Sequence, residues 1–135
     1  MFLLDTNIIS ELRKPKPHGG VVTWVAKQET AALFISAMSI AEIQRGIEKT
    51  RENDPEKAAQ IEAWLLQLIG SGQVLPMDAG VCREWARIML RRSGTLVEDA
   101  FIAATATVHR LTVVTRNVRD FKVFEVKTFN PFESK

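Results

Sequence analysis

Four carboxylates in this 135-residue chain are notable for where they fall. Asp5 follows an apolar run in MFLLDTNIIS, Glu42 lies in SIAEIQRGI, Asp99 in VEDAFIAATATVH, and Asp120 a few residues past the apolar run of LTVVTRNVRDF. Each acid alone has an ordinary explanation. Asp5 or Asn7 suits a helix cap; Ser39 to Glu42 fits the S-x-x-E capping box; Asp99 sits where a helix dipole favours an acid; Asp120 suits a loop turn. Together they say more, because two follow predicted strands and two open predicted helices, the places that converge at the carboxyl edge of a parallel sheet. Carboxylates gathered there repel one another, and some are pushed toward the neutral form unless a cation shares them. Oxygen ligands without His or Cys select Mg²⁺ or Mn²⁺, which retain waters. That chemistry suits metal-assisted attack of water on a phosphodiester.

The elements needed to position these acids are legible in the apolar spacing. FLL reads as a buried strand, and TNIISELRK turns to helical spacing through Ile8, Ile9 and Leu12 before KPKPHGG breaks it. Val21, Val22, Trp24 and Val25 restart a helix, ALFISA reads as a second strand, and a helix from Ser39 carries Ile40, Ile43 and Ile47. Asp54-Pro55 opens the next helix, with Ile61, Trp64, Leu65, Leu68 and Ile69 on one stripe that closes at Gly70 and Gly72. QVLPMD is strand-like and Asp78 caps a helix carrying Val81, Trp85, Ile88 and Met89. A helix from about Val97 to His109 follows, then the strand LTVVT and a short extended VKTFNPF. Within the Val97 helix only one of Glu98 and Asp99 can share the inward face, and Asp99 keeps the i, i+3, i+4 relation to Ile102 and Ala103. Strands separated by helices imply a parallel sheet covered on both faces.

The bulk properties bound the answer. The length suits one domain, and 46% hydrophobic with 25% charged residues is a globular composition. An acid at position 5 argues against a signal peptide, and no run approaches the roughly 20 apolar residues of a membrane span; a cytoplasmic protein is expected. Cys82 is the only cysteine and has no histidine near it in sequence, so a packed thiol is the simpler reading. A net charge of +2 is too small to demand a polyanionic partner.

LLDTNIISEL, SIAEIQRGI, EDAFIAATA and LTVVTRNVRDF, with the closing FNPF, resemble the signature segments of the PIN-domain ribonucleases, specifically VapC-type toxins of toxin–antitoxin pairs and their FitB-like subgroup. The resemblance spans nearly the whole chain in the expected order. It implies a three-layer α/β/α sandwich with a central, mainly parallel sheet, one domain over residues 1–135, and a Mg²⁺- or Mn²⁺-dependent endoribonuclease acting on tRNA, rRNA or mRNA. It also implies a homodimer, with higher toxin–antitoxin assembly, and inhibition by a cognate antitoxin that inserts a segment into the site. Asp5, Glu42 and Asp99 match the family's three main acids, with Asp5 and Asp99 as metal ligands. Many relatives carry a fourth acid where this chain has Asn117, and Asp120 matches the later acid of the FitB-like pattern. Asn7, Thr115 and Asn117 fall at polar positions that orient ligands or water.

For the RNA itself, Arg13, Lys14 and Lys16 end the first helix, Arg116 and Arg119 flank the last acid, and Arg83, Arg87 and Arg91 recur every four residues with Arg92 beside them. Ordinary solvation of an amphipathic helix explains the last group as well as RNA contact does. A phosphotransferase of the haloacid dehalogenase type needs a second acid two residues after Asp5, where Asn7 stands. A receiver-like domain needs a lysine after a late strand, where Arg116 stands. A catalytically silent binding module is disfavoured by the presence of all four acids.

Overall fold

The computed structural model describes residues 1–133, so the last two residues of the expected 1–135 domain lie outside the described residues. The strands are Phe2–Leu4 (β1), Leu33–Ser36 (β2), Val74–Leu75 (β3), Thr112–Val114 (β4) and Thr128–Phe129 (β5). The helices are Thr6–Arg13 (α1), Gly19–Ala26 (α2), Ala37–Asn53 (α3), Pro55–Gly70 (α4), Ala79–Met89 (α5), Val97–His109 (α6) and Val118–Lys122 (α7). All strand pairs are parallel, in the order β3-β2-β1-β4-β5.

Adjacent residues of a strand point to opposite faces, and β1 shows the consequence. Leu4 joins Ile8, Ile43, Ile47 and Leu65 in a core beneath α1–α4, while Leu3 joins Ala103, Val113 and Phe121 in a second core beneath α5–α7. This is the three-layer α/β/α arrangement. Burying each of these leucines contributes about 1.5–3 kcal/mol, which anchors the central strand and so fixes where Asp5 emerges. The alanines of α6 are almost wholly buried, and their small size lets that helix lie close to the sheet. The chain adds strands outward from β1 through β2 to β3, then returns to add β4 and β5 on the other side. The reversal lies between β1 and β4, the topological switch point at which ligands of open parallel sheets bind.

Three local expectations are corrected, besides that of a packed Cys82 thiol, which is exposed in the first turn of α5. α3 begins at Ala37 because β2 runs directly into Ser36, whose Oγ accepts from the Met38 N–H at 3.1 Å. Ser39 therefore lies inside the helix, the Ser39–Glu42 capping box does not form, and Glu42 sits a turn deeper with no capping duty. α5 ends at Met89; Arg91 has a φ of 64° and is outside the helix, so the basic stripe does not extend to it. The Arg92 Nε–H donates to the Ile88 carbonyl at 2.6 Å, satisfying one of the orphan groups at that end. On α4 the buried stripe is narrower than its apolar spacing suggests: Leu65 is buried, but Ile69 is 42% exposed.

Candidate active site

Asp5 stands at the switch point, directly beyond β1, and is both helix cap and buried acid. Its backbone N–H donates to the Val114 carbonyl at 2.9 Å, extending the β1–β4 pairing by one step. Its Oδ1 accepts from the Thr6 N–H and its Oδ2 from the Thr115 hydroxyl, both at 2.8 Å. Burial pushes this carboxyl above its ordinary value; the bonds from Thr115 and Thr6 oppose the rise, and the charge of Asp120 adds to it. Each oxygen retains a second lone pair.

Asn7 and Thr115 tie the ends of the two central strands together. The buried Thr115 Oγ1 accepts from the Asn117 N–H at 2.9 Å and lies 3.5 Å from Asn7 Nδ2, while Asn7 Oδ1 accepts from the Arg116 N–H at 3.3 Å. Asn117, at the start of α7, enters this network through its backbone rather than its amide side chain.

Glu42 and Asp99 approach from opposite layers. Burial first, then the charges of Glu98 and Asp5, lift the Glu42 carboxyl to about 7 against the hydrogen bond from Thr6. Thr6 Oγ1 lies 2.9 Å from Glu42 Oε1 and 2.8 Å from Ser39 Oγ. A hydroxyl has one proton to give, so beside an ionised Glu42 the order is Ser39 donating to Thr6 and Thr6 to the carboxylate. Asp99, on the first turn of α6, is raised to about 6 by burial and then by Asp5, Asp120 and Glu98. Asp120 is exposed on the short α7, within electrostatic reach of both Asp5 and Asp99.

The four acids thus form one electrostatic set, and a fifth acid belongs with them. Glu98, placed outward by the helical spacing, is held by Arg45 at 2.6 Å and bears on both Glu42 and Asp99. The available signal was the position of Arg45, three residues after Glu42 and so one turn further along α3. Among the described residues, none of Asp5, Glu42, Asp99 and Asp120 has a Lys, Arg or His ion-pair partner. Nor do three or more His, Cys, Asp or Glu side chains among them stand as a ready-made metal cage.

Two clefts flank the set. One, of about 230 Å³, runs between α1, α3 and α4 and includes Thr6, Arg13 and Glu42 in its walls. The other, of about 510 Å³, is lined by Arg116, Asn117, Arg119, Asp120, Lys122 and Asn130 among others. Arg116 also lies over the Phe132 ring at 4.6 Å. The remaining basic candidates are elsewhere engaged or more remote. Lys14 is bound to Glu11 at 2.9 Å, Arg87 to Glu84 at 3.3 Å, and Arg83 is on the exposed side of α5; none of the three lines either cleft.

Comparison with known proteins places this geometry. Residues 2–127 match the PIN domain family. The chain is 34% identical to a VapC ribonuclease of Sinorhizobium fredii, over 98% of this chain and 99% of that protein. It is likewise 34% identical to the toxin FitB of Neisseria gonorrhoeae, over 98% and 99% of the two chains. A solved structure of FitAB bound to a DNA fragment superimposes with a TM-score of 0.85 at 32% identity, covering 100% of this chain and 98% of that one.

Proposed function

The chain belongs to the PIN-domain family, and from that premise we propose that it is the ribonuclease toxin of a toxin–antitoxin pair, built as a single PIN domain and working in the cytoplasm. The relatives' names supply the activity: a VapC ribonuclease and the toxin FitB each align over nearly the full chain. The FitAB complex supplies the precedent for a partner protein. A cognate antitoxin and a second copy of the chain are the proposed protein partners, and RNA the substrate. Among the described residues no helix is long and apolar enough to cross a membrane.

The observation that carries the mechanism is the gathering of Glu42, Asp99 and Asp120 around the buried Asp5 at the β1–β4 switch point, none of the four ion-paired to a Lys, Arg or His among the described residues. Three carboxyls with raised proton affinity and, among the described residues, no Lys, Arg or His ion-pair partner form an all-oxygen donor set deficient in positive charge. This fits a divalent ion such as Mg²⁺ or Mn²⁺, held through one or two carboxylates with waters completing its shell, and does not require a closed protein cage. Asp5 and Asp99 would hold it. When bound, such an ion offsets charge on the phosphate and makes a neighbouring water more acidic.

The protein side chains then divide the remaining work. Glu42, held by Thr6 within electrostatic reach of Asp5, is the carboxylate left to accept a proton from the attacking water. Thr6 orients Glu42, while Thr115 and Asn7 fix Asp5 between the strand ends. Asp120 borders the larger cleft and is placed to orient water or substrate, with Arg116 and Arg119 beside it to receive the RNA backbone. Asp5→Ala tests the reading. RNA cleavage and growth arrest should be lost while the circular dichroism spectrum is kept, and full activity in that variant would refute the assignment.

A further inference from the structure

The closing FNPF segment, which the acid set does not use, meets the cationic edge of the site. β5 pairs with β4, Phe129 opposite Val114, and the Thr115 N–H donates to the Phe129 carbonyl at 2.9 Å, so the turn after β5 lies beside Arg116. Asn130 joins the two. Its Oδ1 accepts from the Phe132 N–H at 2.9 Å, closing the turn, and its Nδ2 donates to the Arg116 carbonyl at 3.4 Å. From the other side, the Arg116 N–H donates to Asn7 Oδ1 at 3.3 Å. Asparagines thus hold the Arg116 backbone at both its N–H and its carbonyl.

The side chain is held as well. The guanidinium carbon lies 4.6 Å from the centre of the Phe132 ring, inside the range of a cation–π contact. That ring packs against the core beneath α1–α4 and against His18, with 5.0 Å between ring centres. His18 is itself fixed, its N–H donating to Glu11 at 2.9 Å and its Nδ1 accepting from the Gly20 N–H at 3.1 Å. Core packing accounts for a ring at this place; it does not account for the arginine above it. Arg116 is exposed, and Asp120 and Glu133 line the same cleft, yet among the described residues its guanidinium forms no ion pair and no hydrogen bond. A ring contact consumes none of the N–H donors with which arginine grips a phosphate.

We propose that Asn130 and Phe132 are positioning residues for Arg116, holding its guanidinium over the ring and out of ion pairs with Asp120 and Glu133, so that it meets an RNA phosphate with its donors free. This rests on the ribonuclease reading and gives the FNPF turn a part in it. An arginine ordered before the substrate arrives loses less side-chain freedom on binding, and it stands where the acids would otherwise repel the RNA backbone.

The test joins a mutant cycle to a spectroscopic signature. Phe132→Leu and Phe132→Met keep an apolar side chain on the core but lose the ring, and Phe132→Tyr keeps the ring. Each is made alone and together with Arg116→Ala, and thermal melts check every fold. The substrate is a fluorescein-labelled oligoribonucleotide spanning a bond that the wild type cuts, with Mg²⁺ or Mn²⁺ for steady-state cleavage and EDTA for binding by fluorescence anisotropy. An exposed cation–π contact converts to roughly a two- to fivefold effect. Phe132→Leu and Phe132→Met should raise KM and weaken binding by about that factor, with kcat little changed. Phe132→Tyr should match the wild type, and on top of Arg116→Ala no change at Phe132 should have a further effect. In a heteronuclear NMR spectrum without RNA, the Arg116 Nε–H signal is identified by its absence from Arg116→Ala. The ring should shift it upfield in the wild type and in Phe132→Tyr, and the shift should vanish in Phe132→Leu. Losses that add to that of Arg116→Ala, a Phe132→Leu protein that handles RNA as the wild type does, or a wild-type signal without a ring shift would each overturn the positioning role and leave the ribonuclease reading standing. Unchanged KM and binding in Arg116→Ala would do the same. If neither ringless variant folds, the presence or absence of the wild-type ring shift decides. Wild-type protein that cuts no RNA with either ion would overturn both readings.

Discussion

Replacing Glu42 by glutamine should stabilise the metal-free protein above neutral pH. The Glu42 carboxyl is raised from 4.5 to about 7, so the folded state holds its proton more tightly than the unfolded chain does. For an acid shifted upward, stability is full below the unfolded value, falls as pH rises through the window from 4.5 to about 7, and stays reduced above it. At about 1.36 kcal/mol per pKa unit the ceiling is about 3.4 kcal/mol. Glu42 is only partly buried and solvent screens its neighbours, so about 1–2 kcal/mol is expected at pH 8. Glutamine keeps an oxygen to accept from Thr6 and removes the charge that Glu98 and Asp5 oppose. The assay is urea unfolding of both proteins in EDTA at pH 5 and pH 8. The variant should gain stability only at pH 8 and lose RNA cleavage. A gain of equal size at both pH values, or none at pH 8, would show that Glu42 is not held at an electrostatic cost.

Two other substitutions probe the neighbours. Thr115→Val removes the hydroxyl that donates to the buried Asp5 carboxylate and accepts from Asn117; urea unfolding at pH 7 should show a loss of about 1.5–3 kcal/mol, largely restored by Thr115→Ser. Arg116→Ala should weaken binding of all RNA sequences alike and lower the steepness of the log affinity–log salt plot by about 1.

Much of this was legible in the chain because the signals are local and periodic. β1, β4 and α6 follow from short apolar runs and an alanine-rich face, and a parallel sheet brings the ends of such elements to one edge whatever the loops do. That is how four acids far apart in sequence could be grouped before their positions were known. Boundary details escaped where two local explanations competed. The Ser39–Glu42 spacing satisfied a capping pattern, but Ser36 at the end of β2 was the nearer cap, and only tertiary placement separates the two. Helical spacing likewise extended α5 to Arg91, whereas the chain turns out of the helix after Met89. Glu98 was set aside because one helix considered alone has a single inward face; its role depends on Arg45 and Glu42 arriving from α3.

The central claim is that acids converging at the β1–β4 switch point make a divalent-ion-dependent ribonuclease site. It is tested most directly by incubating wild-type and Asp99→Asn protein with RNA, DNA and a phosphomonoester, each with Mg²⁺, Mn²⁺ or EDTA. The account predicts cleavage of RNA alone, only with a divalent ion, and only by the wild type. Cleavage that survives in EDTA, or in Asp99→Asn at the wild-type rate, would contradict it.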